Sequence, residues 1–250
     1  MAIEGLAGIL KYKQQQKEKE EARNRPKAEY LSSVWPETPR NKSGLGDTII
    51  GQFVQELDKG SSNYDPEKGL GLLLTEHEPP GAKGFMRRAN CTDPEGEGED
   101  CYGCERKKVD FVKDAKEGNW KTKTSLYINF ATLIDGEPKV FVLSRNVNSG
   151  FFDQILDEIK DEGTLLGTSY RITKSGSGTQ TSWNLKPVKD AMFDISDIEA
   201  FDLKETVERA IPYEDQAEYY GAVWSGRGNS VDSDEKPGKG ATLATSDDEW

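Results

Sequence analysis

The only histidine and all three cysteines of this chain fall within one 28-residue stretch, His77-x13-Cys91-x9-Cys101-x2-Cys104. No other feature restricts the fold as much, because one centre would tie four separate points of the backbone together. Zinc takes thiolate and imidazole in a closed tetrahedron, and a CxxC pair supplies two corners from one tight turn. Gly103 inside that pair lets the turn bend where a Cβ would clash. The spacing therefore predicts a structural zinc site with His77, Cys91, Cys101 and Cys104 as ligands. Three other readings compete. A disulfide plus a free thiol is disfavoured by the odd cysteine count and by the lack of a signal peptide or an apolar membrane span, which point to a reducing interior. His77 could be an ordinary surface histidine with only the thiols binding metal, but its place at the end of an apolar run just before Pro79-Pro80 suits a ligand. A catalytic zinc needs an open coordination position, which four protein ligands do not leave. The deaminase pattern of H-x-E with P-C-x-x-C is also unmet: Glu78 follows His77 directly, Asp100 precedes Cys101, and Cys91 would be surplus.

The 250 residues fit one medium domain with tails or two small ones. Hydrophobic content of 34% against 31% charged residues predicts a modest core and some unpacked chain. The net charge of −12 argues against a nucleic-acid binder only until it is divided by region. Asp190–Trp250 carries 16 acidic and 5 basic residues, whereas residues 1–189 carry 29 and 28. The excess is an acidic tail, and the body is near neutral with local basic clusters.

Residues 1–28 form an N-terminal arm in which Ile3, Leu6 and Leu10 recur at helical spacing, with seven basic and four acidic residues and Pro26 as a stop. It reads either as a solvated arm or as one that docks on a neighbouring copy or on phosphate. Residues 29–189 form the core. Asp47–Leu57 alternates imperfectly, and Gly51 predicts a bulge or bend. Gly69–Thr75 is a second short strand, and the metal subdomain follows at 77–108 with an exposed TDPEGEGED loop. Ser125–Ile134 is the clearest strand, with Leu126, Ile128 and Phe130 on one face and Tyr127 and Asn129 on the other. Asp135-Gly136 turns it into Lys139–Ser144. Phe151–Asp161 is an amphipathic helix ended by Gly163, and Thr168–Lys174 with Thr181–Pro187 forms a second hairpin. Short strands joined by turns, with a helix between the fourth and fifth, predict a mainly β fold of the OB type: a small Greek-key barrel with the metal loop as an insertion. A helical extension at 190–224 includes a helix over Ile195–Ala210, packed through Ile198, Phe201, Leu203 and Val207. Residues 225–250 read as a disordered acidic tail. Its end, Asp247-Asp248-Glu249-Trp250, fits a peptide that docks in a basic, apolar groove of a partner protein, the ring filling a pocket and the carboxylates pairing around it.

Basic residues border the metal loop: Lys83, Arg87 and Arg88 before Cys91, and Arg106, Lys107 and Lys108 after Cys104. Aromatics are interleaved with them. Cations that track phosphates, with rings that stack on bases, are what single-strand binding requires. Phe85, Tyr102, Trp120, Lys121, Lys123 and Tyr127 extend this set, and Tyr170, Arg171, Lys174 and Trp183 could prolong the surface. Among the aromatics, Phe85, Phe111 and Phe130 are expected more in the core than at a contact, and Tyr102 and Trp120 more at a contact. An enzyme is not expected, because no carboxylate pair, nucleophile or phosphate loop stands out; GSGTQT lacks the lysine of a P-loop.

Together these features resemble the single-stranded DNA-binding proteins of the T-even bacteriophages, the helix-destabilising replication proteins. His77, Cys91, Cys101 and Cys104 match that family's one-histidine, three-cysteine zinc subdomain. The resemblance implies an OB-fold holding the metal insertion, a non-enzymatic role in DNA replication, recombination and repair, and a host-cytoplasmic location. Residues 1–28 and 225–250 match in position the family's arm for cooperative self-association and its acidic segment that recruits replication and recombination proteins. The arm here has mixed charge, and the ending Asp-Asp-Glu-Trp is more similar to the acidic tip of bacterial single-strand binding proteins. The other reading of the same residues is a zinc-stabilised interaction or transcription-regulating module that binds no strand.

Overall fold

The Leu126, Ile128, Phe130 alternation belongs to a strand longer than its apolar part. In the computed structural model, β4 runs Lys121–Ile134, and six other strands are arranged around it. The structure describes residues 27–33, 47–81, 88–98, 100–113, 116, 119–176, 181–189 and 191–224, together with Gly5, Leu6, Leu10, Lys13 and Lys17 of the arm, which are helical. The strands are β1 (Asp47–Phe53), β2 (Leu72–Glu78), β3 (Ala89–Asn90), β4, β5 (Glu137–Asn146), β6 (Ser169–Ser175) and β7 (Ser182–Val188). The helices are α1 (Tyr102–Val109), α2 (Gly150–Glu162), α3 (Leu203–Thr206) and α4 (Tyr213–Trp224).

All strand pairs are antiparallel, in the order β3-β2-β4-β1-β6-β7, with β5 also on β4. β2 pairs with the first half of β4, from Glu78↔Lys121 to Leu72↔Tyr127, and β1 with the second, from Phe53↔Phe130 to Gly51↔Thr132. A bridge between Glu56 and Leu70 closes the excursion between β1 and β2. β5 returns from β4 through Asp135 (φ 54°) and Gly136 (φ 87°), two successive left-handed residues of the kind that let a two-residue hairpin follow the strand twist.

The sheet buries both faces. On one face, Phe53 packs edge-on against Phe130 and Tyr170 at 5.2 and 5.1 Å, and Leu126, Ile128, Phe141, Leu143 and Ile172 complete the core with Phe151 and Ile155 of α2. α2 begins at the Ser149 cap, whose side chain accepts from Phe152 N, and ends at Gly163 in the left-handed region, φ 74°. The other face carries Tyr127, Val142 and Leu74 of β2, packed against Phe201, Leu203 and Val207. Asn129 at its centre is fully buried; its amide donates to Gln55 Oε1 and to the Phe201 carbonyl, at 3.0 and 2.9 Å.

Three expectations from the sequence need correction. First, among the described residues the sheet is open: β7 pairs with β6 and not with β5. α2 lies against both strands, and Gln154 Oε1 accepts the Leu185 N–H at 2.6 Å, a donor that a neighbouring strand would otherwise take. Second, Gly51 makes no bulge. It stays in register with both Thr132 and Tyr170, and a Cβ there would lie 2.1 Å from the Ala131 carbonyl and 2.4 Å from the Phe130 ring. Third, Ile195–Ala210 is not one helix. Only Leu203–Thr206 is helical, capped by Asp202, although Leu203 and Val207 are buried as expected. Among the described residues, no helix is long and apolar enough to cross a membrane.

Candidate metal centre

The four ligands reach one point from three elements. His77 lies near the end of β2, fully buried, directly opposite Thr122 of β4. Cys91 follows β3, and its N–H donates to the Thr75 carbonyl at 2.7 Å, which holds it beside β2. Cys101 is the N-cap of α1, and Cys104 sits in that helix's first turn. All four ligand atoms lie within 4.8 Å of one another. Cys91 Sγ is 3.7 Å from Cys101 Sγ and 3.6 Å from Cys104 Sγ, and Cys104 Sγ is 3.3 Å from His77 Nε2. A tetrahedron with metal–sulfur bonds of about 2.3 Å has sulfur–sulfur edges of about 3.8 Å. A disulfide would need about 2.05 Å. The cluster therefore has the dimensions of a metal site, and the cysteines are free thiols.

The surroundings favour ligation. His77 Nδ1 is 3.2 Å from Thr122 Oγ1, so the tautomer with its proton on Nδ1 presents Nε2 to the sulfurs. Burial, helped by the Lys107 charge, pushes the imidazole down to about 4, which keeps it neutral at physiological pH. Burial raises the Cys91 and Cys104 thiols. It acts on Cys101 too, but hydrogen bonds from Cys104 and Thr92 outweigh it and hold that thiol below its usual value. The positive end of α1 favours the thiolate form that ligation needs at Cys101, whereas burial works against it at Cys91 and Cys104 until a metal is bound. Gly103 is required by close approach: a Cβ there would lie 2.4 Å from His77 Cγ.

The site has its own small core, which sequence reasoning missed. Ala89, Trp120 and Tyr220 are buried together, with Tyr102, Ile211 and Tyr219 packed around them. Tyr220 of α4 stacks on Tyr102 at 6.1 Å and 17° and meets Trp120 edge-on at 5.0 Å. Gln216, fully buried, accepts the Tyr102 N–H at 3.0 Å and donates to the Ile211 carbonyl at 3.0 Å. Tyr213 donates to Glu105 at 2.8 Å, and Tyr219 donates to the Arg88 carbonyl at 2.9 Å. Pro212 before an acidic first turn, Glu214-Asp215, was the available signal for this helix.

The chain matches no family model, no curated protein and no solved structure.

The residues expected to meet a nucleic-acid strand are dispersed in their roles. Trp120, Tyr127 and Tyr170 are buried, and Tyr127 donates to Glu76 Oε2 at 2.6 Å. Tyr102 is half-buried beneath Tyr220, with the Arg106 guanidinium 5.9 Å from its ring. Arg88 and Lys123 reach Glu78 Oε2 at 3.1 and 3.2 Å, and Lys121 reaches Glu78 Oε1 at 3.9 Å. Burial pushes Glu78 up, but Lys123 and Arg88 together hold it below its usual value. Arg106 pairs with Asp110 at 2.5 Å, and Lys107 donates to Thr122 at 3.1 Å. Lys108 and Arg171 are exposed, and Lys174 is half-buried. Trp183 is half-buried under the Arg145 guanidinium and edge-on to Phe151. Phe130 is in the core as expected, whereas Phe111 is 67% exposed. Lys83, Phe85, Arg87 and the tail residues Asp247, Asp248, Glu249 and Trp250 lie outside the described residues.

Proposed function

We propose that the protein is a non-enzymatic, sequence-independent binder of single-stranded DNA. In this reading it has an OB-type core, a structural Zn2+ held by His77, Cys91, Cys101 and Cys104, and a place in phage replication, recombination and repair. The Cys3His cluster carries the reading: its sulfur spacing fits the tetrahedral metal, and it closes a lobe on the same strand, β4, that carries the core. The strand order of an OB-type core is compatible with β1, β4, β5, α2, β6 and β7 in sequence, the helix standing between the third and fourth of those strands. Zinc would act by folding the lobe, since metal-binding energy is folding energy in such small modules.

A second reading is favoured by the burial of Trp120, Tyr127 and Tyr170 and by the pairing of Arg88, Lys121 and Lys123 with Glu78. These contacts take away groups that a strand would need, and suit a zinc-stabilised interaction module. Fluorescence titration with oligo-dT separates the two. Strand binding gives saturable quenching, weakens steeply with salt, far exceeds binding to duplex, and is lost on chelation together with one equivalent of zinc. Equal affinity for both nucleic-acid forms, or none for either, rejects the first reading.

A further inference from the structure

Three of the most exposed apolar side chains stand together: Val109 at 74%, Phe111 at 67% and Val112 at 57%. Val109 ends α1, and the other two follow at once. The ridge is fixed in place, because Asn119 Oδ1 accepts the Val112 N–H at 2.8 Å and Asn119 Nδ2 donates to the Val112 carbonyl at 2.9 Å. Burying a phenylalanine is favourable, so folding alone gains nothing from holding this ring in water.

The charge around the ridge is specific. Arg106–Lys123 holds seven basic and three acidic residues in a chain of net charge −12, and Asp110, one of the three, is already paired with Arg106. Lys107, Lys108, Lys113 and Lys116 are exposed and neighbour these apolar side chains in sequence. Three apolar side chains are too few for a stable protein interface, which takes about 800 Å² per partner. They also fall short of the long apolar helix face that holds a protein on a membrane. One ring flanked by separate cations matches one base flanked by phosphates.

We infer that Phe111 is the ring on which an unpaired base stacks, with Val109 and Val112 packing beside it and Lys107, Lys108 and Lys113 taking the adjacent phosphates. This rests on the strand-binding reading above and moves the aromatic contact away from Trp120, Tyr127 and Tyr170, which are buried.

The test uses the full chain with fluorescein-labelled oligo-dT and two variants, Phe111→Leu and Phe111→Trp. Zinc content and melting temperature of both should equal those of the wild type, since the side chain is exposed. Phe111→Leu keeps the apolar bulk without the ring and should weaken binding about ten- to a hundredfold. Phe111→Trp should bind at least as tightly as the wild type. If the wild type binds and Phe111→Leu binds equally well, the inference is overturned and the strand-binding reading stands. No wild-type binding at low salt overturns both. If Phe111→Leu instead loses binding to phosphatidylserine vesicles while its oligo-dT affinity is unchanged, the ridge belongs to a membrane contact and the inference is wrong.

Discussion

Two positions in the metal lobe show how far a single residue type constrains the rest. Gly103 was legible as a glycine inside CxxC, but its reason was not: it is needed where the His77 ring passes, a contact made by residues 26 apart. His77 itself was legible from its residue type and the cysteine spacing, while its support by Thr122 depends on the β2–β4 register. The buried imidazole sets a pH dependence. Its folded-state value lies near 4 against an ordinary 6.5, so the unfolded chain takes up the proton first on acidification. The stability from burying a neutral ring is fully present above pH 6.5 and is lost as pH falls toward 4. Protonation of thiolate ligands acts in the same direction. Thermal melts should hold level around neutrality and fall steeply through that window on acidification. His77→Gln, already less stable at pH 7, should show a shallower slope there; parallel slopes would refute the assignment.

At the scale of elements, α4 packs directly on the metal lobe. Gln216 satisfies the Tyr102 N–H, and Tyr220 packs between Tyr102 and Trp120. Gln216→Ala should leave that donor unpaired and cost about 1–3 kcal/mol, read as a lower melting temperature and, on the zinc reading proposed above, as faster zinc loss to a chelator. An unchanged rate of zinc loss would uncouple the two. The sequence revealed these elements unevenly. Ser125–Ile134 was plain because apolar and other residues alternate there, but Lys121–Thr124 has no apolar residue and is a strand only through its ladder with Thr75–Glu78. β2 was placed three residues early for the same reason: Glu76, His77 and Glu78 are buried, which their polarity conceals, by Tyr127, the metal cluster and the cations around Glu78. β3 is two residues long, below the length at which periodicity can be read. Of the Ile195–Ala210 pattern, Phe201, Leu203 and Val207 do pack on the sheet, but from mostly irregular chain anchored where Phe201 meets Asn129.

For the whole molecule the dominant quantity is the divided charge, with 16 acidic and 5 basic residues after Lys189. On the strand-binding reading proposed above, an acidic tail competes with phosphate for the same cations, so deleting residues 225–250 should raise single-strand affinity at low salt, with the gain vanishing as salt screens it. A salt series by fluorescence anisotropy checks this, and identical curves for both forms would remove the tail from the binding equilibrium. The strand order was legible, but the openness of the sheet among the described residues was not: α2 lies against both β5 and β7, a packing choice that no local pattern encodes. Among the described residues β4 carries both lobes, with the metal lobe at its start and the main core from Leu126 onward. Adding or removing a single residue within Lys121–Ile134 would exchange inward and outward positions for everything beyond it. Length variation among relatives must therefore be confined to the connections, and the spacing from Thr122 to Phe130 should be the most rigid ruler in the chain.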